Sequence, residues 1–270
     1  MKKYYSTTKE YKRVKIYPLF YHIIKALVRP FIKKSKVIFE EEVDRTDPVV
    51  FVSNHAMLHG PINMLYSFPY KNYRPWTTFK LCFCKEVPKH IMTDAFPKSK
   101  GLARFFLTFF SYLLTPLIVY VFRAIESIPV YTAPKILITY KKTIQTLKEG
   151  KDIYVFPESP EYDDNCKFVQ KFHTGFTGFM KEYYRETGKC IKFYPLYVCH
   201  EHHVISVGKP EVFDPDFKGD QKEQMRLISQ KLQYKIEALA QKLPPHKFIV
   251  YNGTVEERPE KQEPADKADN

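Results

Sequence analysis

Residues 147–158 read LKEGKDIYVFPE, and this stretch decides the fold class of the 270-residue chain. Leu147 ends a segment with helical periodicity, and Gly150 is a typical helix stop. Residues 153–156 then form a short apolar run of strand length, which ends at the pair Pro157-Glu158. A helix that turns at a glycine into a buried strand is the repeating unit of α/β proteins.

The same alternation of helices and strands extends in both directions from this stretch. Apolar runs predict further strands at 37–39, 49–52, 128–131, 190–198 and 203–207, with a polar turn over 40–48. Periodicity near 3.6 residues predicts helices at 14–34, 135–147, 172–184 and 221–243. We therefore predict an α/β fold with a mostly parallel central sheet flanked by helices.

The charge of the chain indicates an anionic partner. Lys and Arg number 43 against 30 Asp and Glu, so the formal net charge is +13. Aromatic residues make up 16% of the chain, and this composition excludes collagen-like and wholly disordered proteins. A mean hydropathy of −0.39 excludes a multi-span membrane protein. An anionic membrane surface is the expected partner, and no nucleic acid is expected because the sequence contains no recognised DNA or RNA module.

Two segments are candidates for membrane contact. The predicted helix at 14–34 carries an apolar stripe bordered by lysine and arginine, which suits either an interfacial helix or a helix docked on the protein's own core. Residues 105–122 contain no charged side chain and lie between Arg104 and Arg123. Pro116 predicts two shorter helices here that enter or lie in a membrane, and the alternative is a buried core helix.

These patterns suggest three regions. Residues 1–36 are expected to form an N-terminal amphipathic region at the membrane interface. Residues 37–250 are expected to form the α/β domain, with the apolar segment 101–125 touching the membrane. Residues 256–270 lack apolar side chains and are expected to be a disordered tail.

Polar clusters follow two of the predicted strands, at the positions where α/β sheets place their sites. The first is Ser53-Asn54-His55, and the second is Phe156-Pro157-Glu158-Ser159. A histidine in such a place is available as a general base near neutral pH, and a glutamate can orient it or hold a hydroxyl group.

The order of these blocks along the chain resembles the glycerophospholipid acyltransferase family, typified by 1-acylglycerol-3-phosphate O-acyltransferases. The resemblance covers roughly residues 15–245, and the most specific block is Phe156-Pro157-Glu158 after the helix end. It implies transfer of an acyl group from acyl-CoA or acyl-carrier protein to a lysophospholipid hydroxyl, on the cytoplasmic face of a membrane. The implied catalytic residues are His55, as general base, and Glu158. The implied substrate-binding residues are Asn54, Thr132, Lys135, Phe156, Pro157 and Ser159.

Three positions depart from the family pattern. Gly60 stands where the family has an aspartate that orients the histidine, and Thr132 and Ser159-Pro160-Glu161 stand where it has phosphate-binding arginines. Nearby side chains are candidates to replace the aspartate: His59, Glu158, Glu161, Asp163 or Asp164. Others are candidates to replace the arginines: Lys135, Lys167, Lys171 or Arg123. The alternative function is a catalytically degenerate relative that binds lipid or acts as a scaffold.

We expect no metal and no cofactor beyond the acyl thioester co-substrate. The cluster Cys199-His200-Glu201-His202-His203 has metal-ligand residue types, but no distant partner stands at ligand spacing in the sequence. Strand alternation would place His200 and His202 on one face and Cys199 and His203 on the other. A solvated polar hairpin is the favoured interpretation. The five cysteines are expected to be reduced thiols in a cytosolic setting.

Overall fold

The computed structural model describes residues 18–56, 59–95, 100–249 and 255–256 of the chain. Its centre is an eight-stranded sheet in which β7, β6, β2, β5 and β3 follow one another between the outer strands β1 and β4, and β8 pairs with β6. The strands are β1 (Lys36–Phe39), β2 (Val50–Ser53), β3 (Tyr73–Thr78), β4 (Ile128–Val130), β5 (Asp152–Val155), β6 (Lys192–Cys199), β7 (Val204–Val207) and β8 (Glu211–Val212). A separate antiparallel pair joins β9 (Phe248–Ile249) and β10 (Val255–Glu256).

The central sheet is mostly parallel, as the sequence predicts. Strand β2 pairs in parallel with both β5 and β6, and β3 pairs in parallel with β4 and β5. Strand β7 is antiparallel to β6 because only a short turn joins them, whereas parallel neighbours need a long crossover. The carboxyl ends of β2, β5 and β6 therefore meet at one edge of the sheet.

Helices cover both faces of this sheet. One hydrophobic core lies under α6, α7 and α8, around side chains such as Ile153, Phe179 and Leu232. The other core contains Phe51 and Tyr154 of the sheet and Phe68, just after α2. The helices are α1 (Pro18–Val28), α2 (His59–Ser67), α3 (Phe79–Cys82), α4 (Val87–His90), α5 (Gly101–Ala124), α6 (Ile136–Lys148), α7 (Met180–Thr187) and α8 (Gln221–Gln241).

Most predicted elements are found within a few residues of their expected bounds, and the differences have physical causes. The predicted helix at 172–184 is split into a 3-10 turn at Thr174–Thr177 and α7, which ends at Gly188 with φ +68. Strand β3 and helix α2 are not predicted from the sequence. Arg74 and Pro75 interrupt the apolar pattern of the strand, and Gly60 and Pro61 stand at the start of the helix. Residues 14–17 of the first predicted helix and residues 257–270 of the predicted tail lie outside the described residues.

The apolar segment forms one helix and not the two that Pro116 predicts. Helix α5 continues through Pro116, because a proline in a helix removes one backbone hydrogen bond and does not necessarily end the helix. The described residues contain one helix that is long and apolar enough to cross a membrane, Gly101–Ala124, with 17% of its most apolar window buried. The prediction of a buried core helix does not fit this exposure.

The exposed face of α5 continues onto α1. Phe105 and Leu113 on α5 are 66% and 60% exposed, and Leu27 on α1 is 68% exposed. The two helices touch through the rings of Phe20 and Tyr120, whose centroids are 5.2 Å apart. We call the exposed apolar side chains of these two helices the apolar face. Its large members are Phe20, Ile23, Leu27, Val28, Leu102, Phe105, Phe106, Phe109, Phe110, Tyr112, Leu113, Leu114 and Leu117.

Candidate active site

The candidate site lies at the edge where β2, β5 and β6 end. Asn54 and His55 follow the last residue of β2, and residues 156–159 follow β5. Because β2 lies between β5 and β6, the polar groups after all three strands are neighbours. This placement brings together the two clusters that the sequence analysis selected.

Asn54 connects the ends of β2 and β6. Its side chain is 4% exposed. Its Nδ2 donates to the carbonyl oxygen of Val198 at 3.1 Å, and its Oδ1 accepts from the backbone N–H of Val198 at 2.7 Å. The amide thus extends the hydrogen bonding of the sheet by one step. Asn54, predicted to bind substrate, holds the backbone beside His55.

Glu158 binds the main chain of His55. Its Oε2 accepts from the backbone N–H of His55 at 2.5 Å, and its Oε1 accepts from the backbone N–H of Gln170 at 3.1 Å. The residue is 5% exposed. Burial raises the pKa of Glu158 to about 7, although both N–H donors oppose that increase. Both predicted catalytic residues therefore share one site, with the carboxylate of Glu158 directed at backbone groups.

His55 is half-buried beside an aromatic pair. Its ring centroid lies 5.2 Å from that of Phe156, which in turn lies 4.9 Å from that of Tyr154. The next residue, Ala56, has φ +42, a left-handed conformation that non-glycine residues seldom adopt. This sharp turn changes the chain direction between β2 and α2. Such conformations are concentrated at functional sites.

Gly60 packs directly against the backbone of this turn. A Cβ atom there would lie 2.6 Å from the carbonyl oxygen of His55, 2.9 Å from that of Asn54 and 3.0 Å from Cε1 of Phe156. The backbone N–H of Gly60 also donates to the carbonyl oxygen of His55 at 3.2 Å. The position at which the family has an aspartate thus accommodates no side chain in this backbone.

The chain after Glu158 forms a closely bound loop. The backbone N–H of Ser159 donates to the carbonyl oxygen of Lys171, and the carbonyl oxygen of Pro157 accepts from the N–H of His173. Pro157 and Ser159 are both buried, and the Oγ of Ser159 accepts from the N–H of Glu161 at 3.3 Å. These two predicted substrate-binding residues make contacts that shape the loop.

Helix α8 holds this loop with two buried polar side chains that the sequence analysis did not select. Glu237 accepts from the backbone N–H groups of Lys167 at 2.8 Å and Phe168 at 2.7 Å. Gln233 accepts from the N–H of Phe172 at 3.0 Å. The sequence contained a signal for this role, because a glutamate and a glutamine stand beside the apolar side of a long predicted helix. Buried polar groups require hydrogen-bond partners, so such residues are expected to bind a neighbouring segment.

Two further predicted residues follow another strand. Thr132 and Lys135 are exposed, and they follow β4, the outer strand of the sheet. Strands β5 and β3 lie between β4 and β2. Among the other proposed cations, Lys171 forms an ion pair with Glu161 at 2.8 Å. Arg123 lies in the last turn of α5, before β4.

Histidines line the β6 side of the site. The rings of His59 and His200 are stacked with centroids 3.5 Å apart, and His203 lies 5.7 Å from His200. Burial and then the proximity of His200 lower the pKa of His59. Burial, Lys33 and the neighbouring imidazoles lower the pKa of His203. Both rings are therefore neutral near pH 7, and an anion between them would favour their protonation.

The cluster at 199–203 does not follow strand alternation. Strand β6 ends at Cys199 and a turn follows, so His200 pairs with His203 and not with His202. Cys199 instead lies close to His202 and to His246, which follows α8. The predicted division of these residues between two strand faces is wrong because residues 200–203 form a turn.

Comparison with solved structures gives a likeness in fold. No family model and no curated protein matches the chain. Its fold is similar to the crystal structure of the 1-acyl-sn-glycerophosphate (LPA) acyltransferase PlsC from Thermotoga maritima, with a TM-score of 0.45 and 13% sequence identity. The likeness covers 84% of this chain and 81% of that chain.

Proposed function

We propose that the protein is an acyltransferase that moves a fatty acyl group from a thioester to the hydroxyl of a lysophospholipid, with His55 as general base. One observation carries the proposal. The carboxylate of Glu158 binds the backbone N–H of His55, so the two strand-end residues form a single site. The sharp turn at Ala56 and the packing of Gly60 fix the backbone on both sides of the half-buried imidazole.

The chemistry needs only a proton acceptor in the correct place. His55 takes the proton of the acceptor hydroxyl as its oxygen attacks the thioester carbonyl carbon. The new C–O bond forms, and the C–S bond breaks when the tetrahedral intermediate collapses. The imidazolium then returns its proton to the leaving thiolate, so the products are the diacyl lipid and the free carrier thiol. The donor is acyl-CoA or acyl-carrier protein.

We assign Glu158 a positioning role. Both of its carboxylate oxygens accept backbone N–H groups, from His55 and Gln170. The residue is also 5% exposed, which leaves it little surface for an acceptor. It acts on the reaction by holding the main chain from which the imidazole projects.

The apolar face supports attachment to a membrane. Helix α5 lies between β3 and β4 in the chain, and its first half is rich in exposed phenylalanines. Exposed Phe105, Phe106, Phe109 and Phe110 would insert among lipid tails, and the formal net charge of +13 would attract anionic headgroups. We propose that the protein lies on the cytoplasmic side, where its five free cysteines remain reduced.

The histidines beside the site suit an acceptor that carries a phosphate. The pKa values of His59 and His203 are lowered in the free protein, and a phosphate beside them would stabilise their charged forms. These histidines would take the place of the arginines in the family that the sequence resembles. Thr132 and Lys135, which follow β4, remain predicted substrate-binding residues.

The test is thiol release by the purified full-length protein in vesicles. With palmitoyl-CoA and lysophosphatidate, wild type should release free CoA only when both are present. His55→Gln should lower this rate by about 10²–10⁴-fold with an unchanged circular dichroism spectrum. His22→Ala, an exposed histidine on α1, serves as the control and should keep the wild-type rate. A His55→Gln protein that turns over as fast as wild type would exclude His55 as the base.

Gly60 favours a second candidate function, a lipid-binding protein without catalysis. Its close packing leaves no side chain where the family has the aspartate that orients the base. In the serine-protease case, removal of the orienting carboxylate costs about 10⁴-fold in kcat. This candidate predicts that the protein binds anionic vesicles and lysophospholipid but releases no thiol from any donor. Steady release that depends on His55 would exclude it.

A further inference from the structure

A cysteine and two histidines converge behind β6, outside the site described above. Donor atoms of Cys199, His202 and His246 all lie within 4.8 Å of one another. Cys199 ends β6, His202 stands in the following turn, and His246 comes after α8. From this geometry we propose that these three side chains bind a zinc-class divalent ion that fastens the β6–β7 turn to the segment after α8.

The hydrogen bonds of both imidazoles match those of metal ligands. Nε2 of His202 lies 3.2 Å from the carbonyl oxygen of Pro244 and 3.1 Å from that of Pro245. Nδ1 of His246 lies 2.8 Å from the carbonyl oxygen of Pro244. Each ring donates one N–H to the backbone, so Nδ1 of His202 and Nε2 of His246 are the nitrogens that can face a metal, and Nε2 of His246 accepts from the hydroxyl of Tyr197 in the metal-free protein. Metal-binding histidines typically have their second nitrogen held in this way.

The sulfur of Cys199 lies inside the protein among backbone donors. The residue is 2% exposed, and the backbone N–H groups of His202 and Glu201 point at the sulfur. A bound divalent cation would displace the thiol proton, because metal coordination favours the deprotonated ligand.

Neighbouring aromatic rings hold His246 in place. Its ring is stacked on that of Phe168, with centroids 4.4 Å apart and an interplanar angle of 17°. Its Nε2 also lies 2.9 Å from the hydroxyl of Tyr197, a residue on the same side of β6 as Cys199. A metal ion at this nitrogen would displace the tyrosine hydroxyl, and a water molecule would complete a four-coordinate site.

The donor set selects the metal. One thiolate and two imidazoles suit zinc and similar borderline ions, whereas magnesium and calcium prefer oxygen ligands. A zinc ion bonded to all three would hold the donor atoms about 3.3–3.6 Å apart. The observed spacing of up to 4.8 Å would therefore contract on binding. This contraction involves a turn and a loop and leaves the sheet in place.

The proposal is independent of acyl transfer. Its effect would still reach the candidate site, because Asn54 is hydrogen-bonded to Val198, the residue before Cys199. A metal that fixes the end of β6 would thus also fix the backbone beside His55. It would serve as a structural site and take no part in the reaction.

The test is a titration of the metal-free full-length protein with Co²⁺, followed by absorption spectroscopy. We expect one Co²⁺ per chain, with the d–d bands of a tetrahedral ion and a thiolate-to-cobalt charge-transfer band. Cys199→Ser should abolish the charge-transfer band, and His246→Ala should weaken binding by more than about 10-fold. Cys190→Ser and His173→Ala alter the same residue types elsewhere, and both should bind Co²⁺ as wild type does.

Two outcomes would overturn the proposal. The first is wild-type protein that shows no charge-transfer band, and the second is a band that persists in Cys199→Ser. Because Cys199 is buried, misfolding of Cys199→Ser would also remove the charge-transfer band. The melting temperature of wild type with and without Zn²⁺ is therefore a second test that does not need this variant. Zn²⁺ should raise the melting temperature of wild type, and His202→Gln, in the half-buried turn, should remove most of that increase.

Discussion

At the scale of single residues, the site is built through the main chain. Glu158 reaches the backbone N–H of His55, and Asn54 reaches the backbone of Val198. A buried carboxylate normally needs such donors, because its transfer from water is costly without them. The polar side chains at this edge therefore determine where the imidazole stands.

Glu158 gives a pH prediction. Its pKa in the folded protein is raised to about 7 from 4.5, so its contribution to stability is full below pH 4.5 and is lost as the pH rises through about 7. Between about pH 5.5 and about pH 8, wild type should lose unfolding free energy relative to Glu158→Gln, which has no proton to release. Urea unfolding of both proteins at the two pH values measures the difference. Parallel pH dependences would show that Glu158 does not titrate in this range.

Gly60 gives a packing prediction. Gly60→Asp introduces an aspartate five residues after His55 but places a Cβ atom 2.6 Å from the carbonyl oxygen of His55. We expect it to destabilise the protein by about 1–3 kcal/mol and to leave the rate of thiol release no higher. Gly60→Ala should show most of the same loss, because the clash is already present at Cβ.

Gly175→Ala is the matched control for this prediction. A Cβ atom at Gly175 would meet only the hydroxyl of Tyr140, at 3.8 Å, which is an ordinary contact. We expect a stability change within about 0.5 kcal/mol in urea unfolding. A Gly60→Asp protein that is as stable as wild type and turns over faster would show that the turn has room for the aspartate.

At the scale of elements, α5 packs against the rest of the protein through a narrow row of its side chains. Its buried side chains are Ser111, Thr115 and Val119, spaced four residues apart on one side of the helix. The remaining surface is mostly exposed and apolar. Monomeric soluble proteins seldom expose a continuous apolar surface of this kind, and where they do it usually marks an interaction site.

The apolar face gives a binding prediction. Phe105 and Phe109 are 66% and 57% exposed, so their replacement by serine should leave the fold stable. Burial of each ring in lipid contributes about 1.5–3 kcal/mol, so the double variant should partition into anionic vesicles at least about 10-fold more weakly. Vesicle cosedimentation measures this partition.

Tyr234→Ser is the control for the double variant. Tyr234 is a 37% exposed aromatic residue on α8, outside the apolar face. Its replacement should leave partition into the same vesicles unchanged. Equal partition of the double variant and wild type would show that the phenylalanines of α5 do not enter the lipid.

Helix α8 shows how one element can shape a distant loop. Its apolar side carries Ile228, Leu232 and Ile236, which pack into the larger core. On the same helix, Gln233 and Glu237 accept backbone N–H groups of residues 167, 168 and 172. Neighbouring positions of one helix thus have two roles: the apolar residues pack on the sheet, and the polar residues bind the loop after Glu158.

At the scale of the whole molecule, the parallel order of strands explains why two short sequence blocks about 100 residues apart form one site. Strands β2 and β5 are neighbours and run in the same direction, so their carboxyl ends coincide. His55 and Glu158 follow those ends directly. The long helix α5 and the short helix α1 leave one side of the molecule apolar, and the formal net charge of +13 suits an anionic surface.

The amino-acid sequence by itself determined the α/β class and the mostly parallel sheet, and it selected His55 and Glu158 as residues that follow predicted strands. Local patterns suffice for these features, because hydrophobic periodicity and strand-end position depend on residues close together in the chain. Only the tertiary structure decided that Glu158 binds backbone N–H, that Gly60 has no room for a side chain, and that His246 joins Cys199 and His202. Those contacts join segments distant in sequence, or depend on the exact path of a turn, and no local pattern encodes the distance between them.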